Sequence, residues 1–469
     1  MNISFYGLTL LRQFHKTLLF LLFLCTNVCY AQQTAFAPEP QNDAALKSLS
    51  ASLEKQYQSD IAALPAENKK DLIKLYKERW DNISSKIEKK EVFENAAAQQ
   101  FLDNMLKNII ASNPALKAKN ISCYFSRSGV PNAAYLGEGL ILFNMGLFSR
   151  LQNESEVAFV LCHELAHLYL NHSENSISKY VSTLNSPEIQ QQLKNIKKQE
   201  YGKRIELEKL IKGISFDSRR HGRDHESNAD SFAVELMSHT KYDPKAAISA
   251  LSLLDVIDKD TLNMANQLHR FFDSPSYPFQ KKWLLKEEGL LSGHAQLTVD
   301  KTLEDSLKTH PDCEKRIRLI EPLVNTLKTN VKAEDGSSQQ FMQLQNDFKY
   351  EIIEYAFESG NYTQSLKYTM DLMATRPGDV YLVSQTGKIF NGFYTSQKEH
   401  TLGKKCDLPA PYYAPSYNLL LQFIQNLYVE DFAGIGYNFL NQYASQFNNN
   451  AGFKKVFNES ARIKKEEKL

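Results

Sequence analysis

His163 and His167 stand four residues apart, with Glu164 directly after the first, inside the stretch NESEVAFVLCHELAHLYLNHS at Asn153–Ser173. Four residues is just over one helical turn, so on a helix both imidazoles project from the same face. That spacing lets both rings reach one zinc ion at about 2.0–2.1 Å. Glu164 leans over the same ion without binding it, placed to take a proton from a water the ion activates. Residues of these types at this spacing point to metal-assisted hydrolysis.

A catalytic zinc needs a third protein ligand and an open position. A site of the H-E-x-x-H-x-x-G-x-x-H type needs Gly at 170 and His at 173; the residues there are Leu170 and Ser173, which excludes it. His172, five beyond His167, is expected to rotate away from the ion and sit near the C-terminal dipole of the helix. The better third ligand is Glu226, in His225-Glu226-Ser227-Asn228-Ala229-Asp230. Asp230, one turn later, can accept the free N–H of a ligating imidazole and so fix its orientation. His221, Asp224 and His225 are the fallback ligands. Further on, Thr309-His310-Pro311 displays His310 at a helix start, because a residue before proline is held extended. There it can donate to a developing oxyanion, occupy the open position of the metal, or be an ordinary surface histidine.

These groups need rigid carriers. Asn153 with Glu156 three residues on reads as a capping box, and Val157, Val160, Leu161, Ala166 and Leu168 supply apolar faces for the helix that bears the histidines. Phe232, Ala233, Leu236 and Met237 continue the Glu226 segment as a second helix. Pro311 opens a third, over Ile317, Ile320, Val324 and Leu327. Before the histidine helix, Ile121–Ser126 reads as a strand and Tyr135–Phe143 as one or two more, punctuated by Gly137 and Gly139. An exposed edge there can take an extended peptide as an added strand, or the sheet can simply cover the helical core.

The 469 residues, 42% of them hydrophobic, allow two or three domains with their own cores. A net charge of +1 argues against a nucleic-acid partner. Residues 1–31 read as a signal peptide: basic residues precede the apolar run Leu18–Leu24, and Ala31 ends a small-residue cleavage site. An uncleaved anchor is the rival, although the run falls short of the ~20 residues a span needs. No span is expected after cleavage, and the protein is expected to be exported, periplasmic or secreted, with peripheral membrane association left open. Cys123, Cys162, Cys313 and Cys406 are too scattered for a disulfide framework or a CxxC metal site. Residues 32–112 are expected to form N-terminal helices packing on a catalytic domain over 113–328. Within that domain 175–219 reads as a charged, solvated helical hairpin. Residues 340–469 read as an all-helical, tetratricopeptide-like region: Gly360-Asn361-Tyr362, Ser365, Leu372 and Pro377 fall at the offsets of such a repeat. The fold class is mainly α, with a small β-sheet in the catalytic domain.

Taken together, the motifs resemble the zinc metallopeptidase family of the CAAX prenyl endopeptidases and the HtpX heat-shock protease. The resemblance rests on Pro131-Asn132-Ala133, Gly137–Ile141 with Gly146-Leu147, HELAH at His163–His167, ESNAD at Glu226–Asp230, Tyr242-Asp243-Pro244 and Thr309-His310-Pro311 with Lys315-Arg316-Ile317. It implies a gluzincin-type domain with one zinc at His163, His167 and Glu226, Glu164 as general base, and His310 as an active-site histidine. It also implies that Asn132 and the Tyr135–Leu142 edge, including Gly137 and Gly139, bind substrate backbone. Without transmembrane helices, the chain is similar to the soluble exported branch that includes the periplasmic β-barrel assembly-enhancing protease. The expected function is a zinc-dependent endopeptidase acting on extended or unfolded envelope proteins, with 340–469 available to an envelope partner. The alternative is a non-enzymatic periplasmic chaperone or scaffold that binds clients through those C-terminal helices.

Overall fold

Leu46, Leu49, Leu53 and Tyr57 form the buried side of helix α1 (Asp43–Ala62), and Leu72, Tyr76, Ile83 and Ile87 that of α2 (Lys69–Glu88). Apolar residues every three or four positions give each helix one face to bury. That face lies on a four-stranded sheet: β1 (Val92–Phe93), β2 (Ser122–Ser126), β3 (Ala133–Gly137) and β4 (Leu140–Asn144), in the order β1-β2-β4-β3. β2 and β4 run parallel, and the other pairs are antiparallel. The chain is described by a computed structural model over residues 36–38, 41–199, 201–260, 262–285, 313–327 and 338–468, side chains at 208, 209 and 211–221 excepted. The expected signal peptide (1–31) and the Thr309-His310-Pro311 motif lie outside the described residues.

Side chains alternate across a strand, and the sheet is filled accordingly. Leu140 and Leu142 pack with α1 and α2, whereas Ile141 and Phe143, with Cys123 and Phe125, enter the main core. β3 and β4 form a hairpin at one side of the sheet, and of these two only β3 lies at the edge. The edge expected over Tyr135–Leu142 is therefore confined to its β3 part, because β4 is covered on both sides. Glu138 (φ 50°) and Gly139 (φ +80°) make the turn. A Cβ on Gly139 would lie 2.1 Å from the Asn120 carbonyl oxygen, so a close backbone approach demands glycine there.

The main core is helical. It joins α3 (Ala96–Ser112), the short α4 (Met145–Phe148), α5 (Glu154–Tyr169), α9 (Ala246–Val256) and α11 (Cys313–Thr326) to the C-terminal part of α8 (Lys203–Ser238). α5 is buried nearly all round, as a central core helix must be. Between α5 and α8 stand α6 (His172–Leu184) and α7 (Pro187–Lys198), the latter burying none of its residues. Instead of ending with the charged insert, its last leg runs without a break into the helix that carries Glu226. Gly213 and Gly222 fall inside the pattern, and isolated glycines do not stop a helix.

A second core gathers α13 (Tyr362–Thr375), α14 (Val380–Lys398), α15 (Pro415–Asn426), α16 (Val429–Asn441) and α17 (Ala451–Glu466). It also takes in α10 (Met264–Phe272) and the fully buried Trp283. Helix α12 (Gln339–Glu358) belongs to both cores: Phe341, Leu344, Phe348 and Ile352 face the first, Tyr350 and Ile353 the second. The protein is thus mainly α, with a small sheet and a helical C-terminal region. Among the described residues no helix is long and apolar enough to cross a membrane.

Candidate metal centre

Helix α5 begins at Asn153, whose Oδ1 accepts from the Glu156 N–H at 3.0 Å. The expected capping box is only half made. Glu156 does not return to the Asn153 N–H; its buried carboxylate accepts from Gln152 N at 2.7 Å and from Ser249 Oγ at 2.6 Å, tying α5 to α9. In the last two turns of the helix, His163 and His167 bring their Nε2 atoms within 3.0 Å of each other. Glu226, on α8, places Oε2 3.5 Å from the first and Oε1 3.4 Å from the second. Among the described residues these three are the group whose ligand atoms could enclose a metal ion.

The hydrogen bonding behind the rings explains why they converge. His163 Nδ1 lies 2.9 Å from Asp230 Oδ1. A His163 that keeps its one proton on Nδ1, beside Asp230, would turn an Nε2 lone pair toward the second imidazole and the carboxylate. Such a convergence of lone pairs calls for a cation. Four tetrahedral ligands at zinc distances lie roughly 3.3 Å apart, and the separations here, 3.0, 3.4 and 3.5 Å, are of that size. The N,N,O donor set and its spacing fit zinc.

Electrostatics agree. Burial disfavours charge on His163, but hydrogen bonds to Asp230 and then Glu226 outweigh it and push the ring up to about 10. Burial raises Glu226, yet hydrogen bonds from His163 and His167 hold it well below the usual carboxylate range. Asp230, also raised by burial, is brought below that range by its hydrogen bonds to Arg316 and His163. In the metal-free protein the His163 proton and the Arg316 guanidinium balance Glu226 and Asp230, and a metal ion would take the place of that proton.

Glu164 points at the same place from the next position. Its Oε2 accepts from the Tyr135 backbone N–H at 2.6 Å, so edge strand β3 holds it off the ligand set. Burial pushes its carboxyl up, opposed by the two neighbouring imidazoles and that N–H. Tyr135 also reaches Glu174 Oε1 with its hydroxyl at 3.4 Å. Asn132 precedes β3, and its carbonyl accepts from Asn144 N at 3.0 Å. Gly137 ends the strand at φ +105°, where a Cβ would strike the Arg79 side chain, and Gly139 lies beyond it in the turn.

The fallback ligands stay out of the cluster: Asp224 is exposed and His225 stacks flat on His172, rings 4.1 Å apart, while the His221 side chain lies outside the described residues. His172 itself corrects an expectation. It stays out of the ligand cluster, but instead of ending α5 it opens α6 and sets Nδ1 3.0 Å from His167 Nδ1, completing for that ring what Asp230 does for His163. Burial and the neighbouring His167 and His225 lower it to about 4, so it is neutral and accepts. Arg316 was a motif residue without a role; it contacts both Asp230 and Glu226. Cys162 is fully buried and free, one position before His163 and so about 100° round the helix from it.

A metal held by two histidines of one helix and a carboxylate of another, beside an uncommitted glutamate, defines a class of hydrolases. Residues 96–324 match the model of peptidase family M48, and through this segment, which holds the cluster from β2 to α11, the chain belongs to that family. It is therefore a peptidase with a metallopeptidase site, acting on proteins or peptides; members of the family generally depend on zinc. Comparison with curated proteins returns no match.

Proposed function

We propose that the protein is a zinc endopeptidase in which His163, His167 and Glu226 hold one ion and Glu164 is the general base. The observation that carries this is the N,N,O triangle with Glu164 beside it, committed to a backbone N–H and not to the ligand set. A zinc ion there supplies Lewis acidity toward a scissile carbonyl and a water. Glu164, its carboxyl raised by burial, takes a proton from the attacking water and returns it to the leaving nitrogen. Asp230 and His172 keep the two imidazoles in the tautomer that leaves Nε2 open. Edge strand β3, with Asn132 and Tyr135, lines up an extended substrate beside Glu164, and Gly137 and Gly139 shape the turn that ends that edge.

His310 belongs to the proposal as oxyanion donor or gate. Two residues separate it from Cys313, the first residue of the helix whose Arg316 touches Glu226. Substrates of this kind of cleft are extended or unfolded chains; with the export signal read at 1–31, envelope or misfolded proteins are the class we assign. The helices beyond 340 are proposed to be a tetratricopeptide-like partner-binding region.

The test is casein cleavage with and without chelator, alongside metal analysis of the wild type, Glu226→Ala and Glu164→Gln. We expect one zinc per chain in the wild type and Glu164→Gln, little in Glu226→Ala, and cleavage in the wild type alone. Wild-type cleavage by Glu164→Gln would reject the base, and full zinc in Glu226→Ala would reject the third ligand.

A further inference from the structure

Away from the metal centre, a groove of about 980 Å³ runs between Phe93, helix α12 and the α13–α14 turn. At one end its wall is made by Phe36, Ala37 and Tyr350, and behind Phe36 the Tyr350 and Tyr381 rings form an aromatic corner, 5.4 Å apart at 74°. Each ring is fixed by its own polar partners. The Tyr350 hydroxyl donates to Asp379 Oδ2 at 2.7 Å and accepts from Arg376 Nη1 at 2.8 Å. Arg376 is itself held by Asn346 Oδ1 at 2.7 Å, and the Tyr381 hydroxyl donates to Glu354 Oε2 at 2.7 Å. All of these partners lie on the C-terminal helices or their turns, so the corner is formed by that region alone.

Into the corner comes Phe36, from the other end of the chain. Its ring stacks on Tyr350 (5.0 Å, 15°) and meets Tyr381 edge-on (5.0 Å, 80°), the two geometries aromatic rings favour. The sequence around it, Ala35-Phe36-Ala37-Pro38-Glu39-Pro40, puts a residue before proline at 37 and at 39, which biases the backbone to an extended form before it binds. An extended segment that loses little freedom on docking is a good groove ligand. Phe36 occupies the aromatic corner and, with Ala37, walls the open part of the groove, which has room for further residues of a bound segment beside them.

We propose that this groove is a docking site for an extended protein segment bearing a proline-flanked aromatic side chain, and that residues 36–38 occupy it in cis as a displaceable placeholder. The tether is short, since Gln41 already bonds the Val92 carbonyl oxygen of β1. Short flexible tethers give effective concentrations in the millimolar range. A free segment whose own Kd is on the order of 100 μM is then weakened on the order of tenfold by competition with Phe36. The site is independent of the metal centre, so its failure leaves the peptidase reading standing.

The experiment uses a fluorescent peptide of residues 32–42, QQTAFAPEPQN, titrated by anisotropy against the full chain in a Glu164→Gln background, which keeps the peptide intact. The Phe36→Ala chain should bind it saturably, the chain with Phe36 present about tenfold more weakly, and the same peptide with alanine for phenylalanine should not bind. Tyr381→Leu added to Phe36→Ala should abolish binding with an unchanged thermal transition; if that variant does not fold, Arg376→Ala serves the same purpose. Equal affinity with and without Phe36, or no binding to the Phe36→Ala chain, would overturn the proposal and leave Phe36 as plain packing.

Discussion

Arg316 grips Asp230 with two hydrogen bonds, Nε to Oδ2 at 2.6 Å and Nη2 to Oδ1 at 2.8 Å, with both side chains almost wholly out of solvent. Its third nitrogen, Nη1, lies 3.0 Å from Glu226 Oε2. One guanidinium therefore offsets both the carboxylate proposed to bind metal and the one that orients His163. Arg316→Leu leaves Asp230 buried without its cation, and breaking a buried pair from one side costs about 3–5 kcal/mol. Urea unfolding of the zinc-loaded variant should show a loss of that order. A variant as stable as the wild type would mean that this contact does not hold α11 to the site.

Zinc loading should release a proton. In the metal-free protein burial opposes charge on His163, and the hydrogen bonds to Asp230 and Glu226 raise it to about 10. A raised imidazole stabilises the metal-free fold fully below its unfolded value of about 6.5, and that contribution is lost as the pH climbs to about 10. Between those limits zinc has to displace the proton, so affinity should rise roughly tenfold per pH unit, with about one proton released near neutrality. Calorimetry in two buffers of different ionisation enthalpy measures this directly; heats independent of the buffer would contradict it.

His172 should act on metal retention more than on turnover. Replacing it with leucine leaves His167 Nδ1 without its 3.0 Å partner, and losing such a support behind a ligand typically costs 10–100-fold in metal affinity. Competition with a chromophoric chelator should show that loss, while kcat of the fully loaded variant stays within about threefold of the wild type. Unchanged zinc affinity would leave His172 as core packing against His225.

The histidine pair was legible because both rings sit on one helix, where residue spacing alone determines direction. Glu226 and Asp230 were legible only as a second motif, since no local rule says which charged turn of a helix meets another helix. His172 stays out of the ligand cluster, but its expected place at the end of α5 was wrong for a definite reason. That expectation extended the α5 wheel by five positions, but Asn171 adopts a left-handed conformation (φ 53°), reverses the chain and returns the next residue to the ring it had passed. Arg316 was beyond reach in another way: its partner lies 86 residues earlier, and a lone arginine on an amphipathic helix looks like any solvated one. The same limit hid Arg79, from a helix preceding the family segment, which bonds Glu138 Oε1 through Nη2 at 2.8 Å and so braces the β3–β4 turn.

The Tyr135 N–H offers a last prediction, because a backbone donor can be deleted. It points to Glu164 and not into the ladder, which leaves proline tolerable at this edge position. Tyr135→Pro removes the donor and the ring together, whereas Tyr135→Ala removes the ring alone. A hydrogen bond to a charged group contributes about 1.5–3 kcal/mol, so the proline variant should cleave casein roughly 10–100-fold more slowly than the alanine one. With the N–H gone, less opposes the effect of burial on Glu164, and the acid limb of the rate profile should move to higher pH in the proline variant alone. Both variants should keep their zinc, since neither touches a ligand. Equal rates and equal acid limbs in the two variants would show that the edge strand does not hold the base, whatever it does for the substrate.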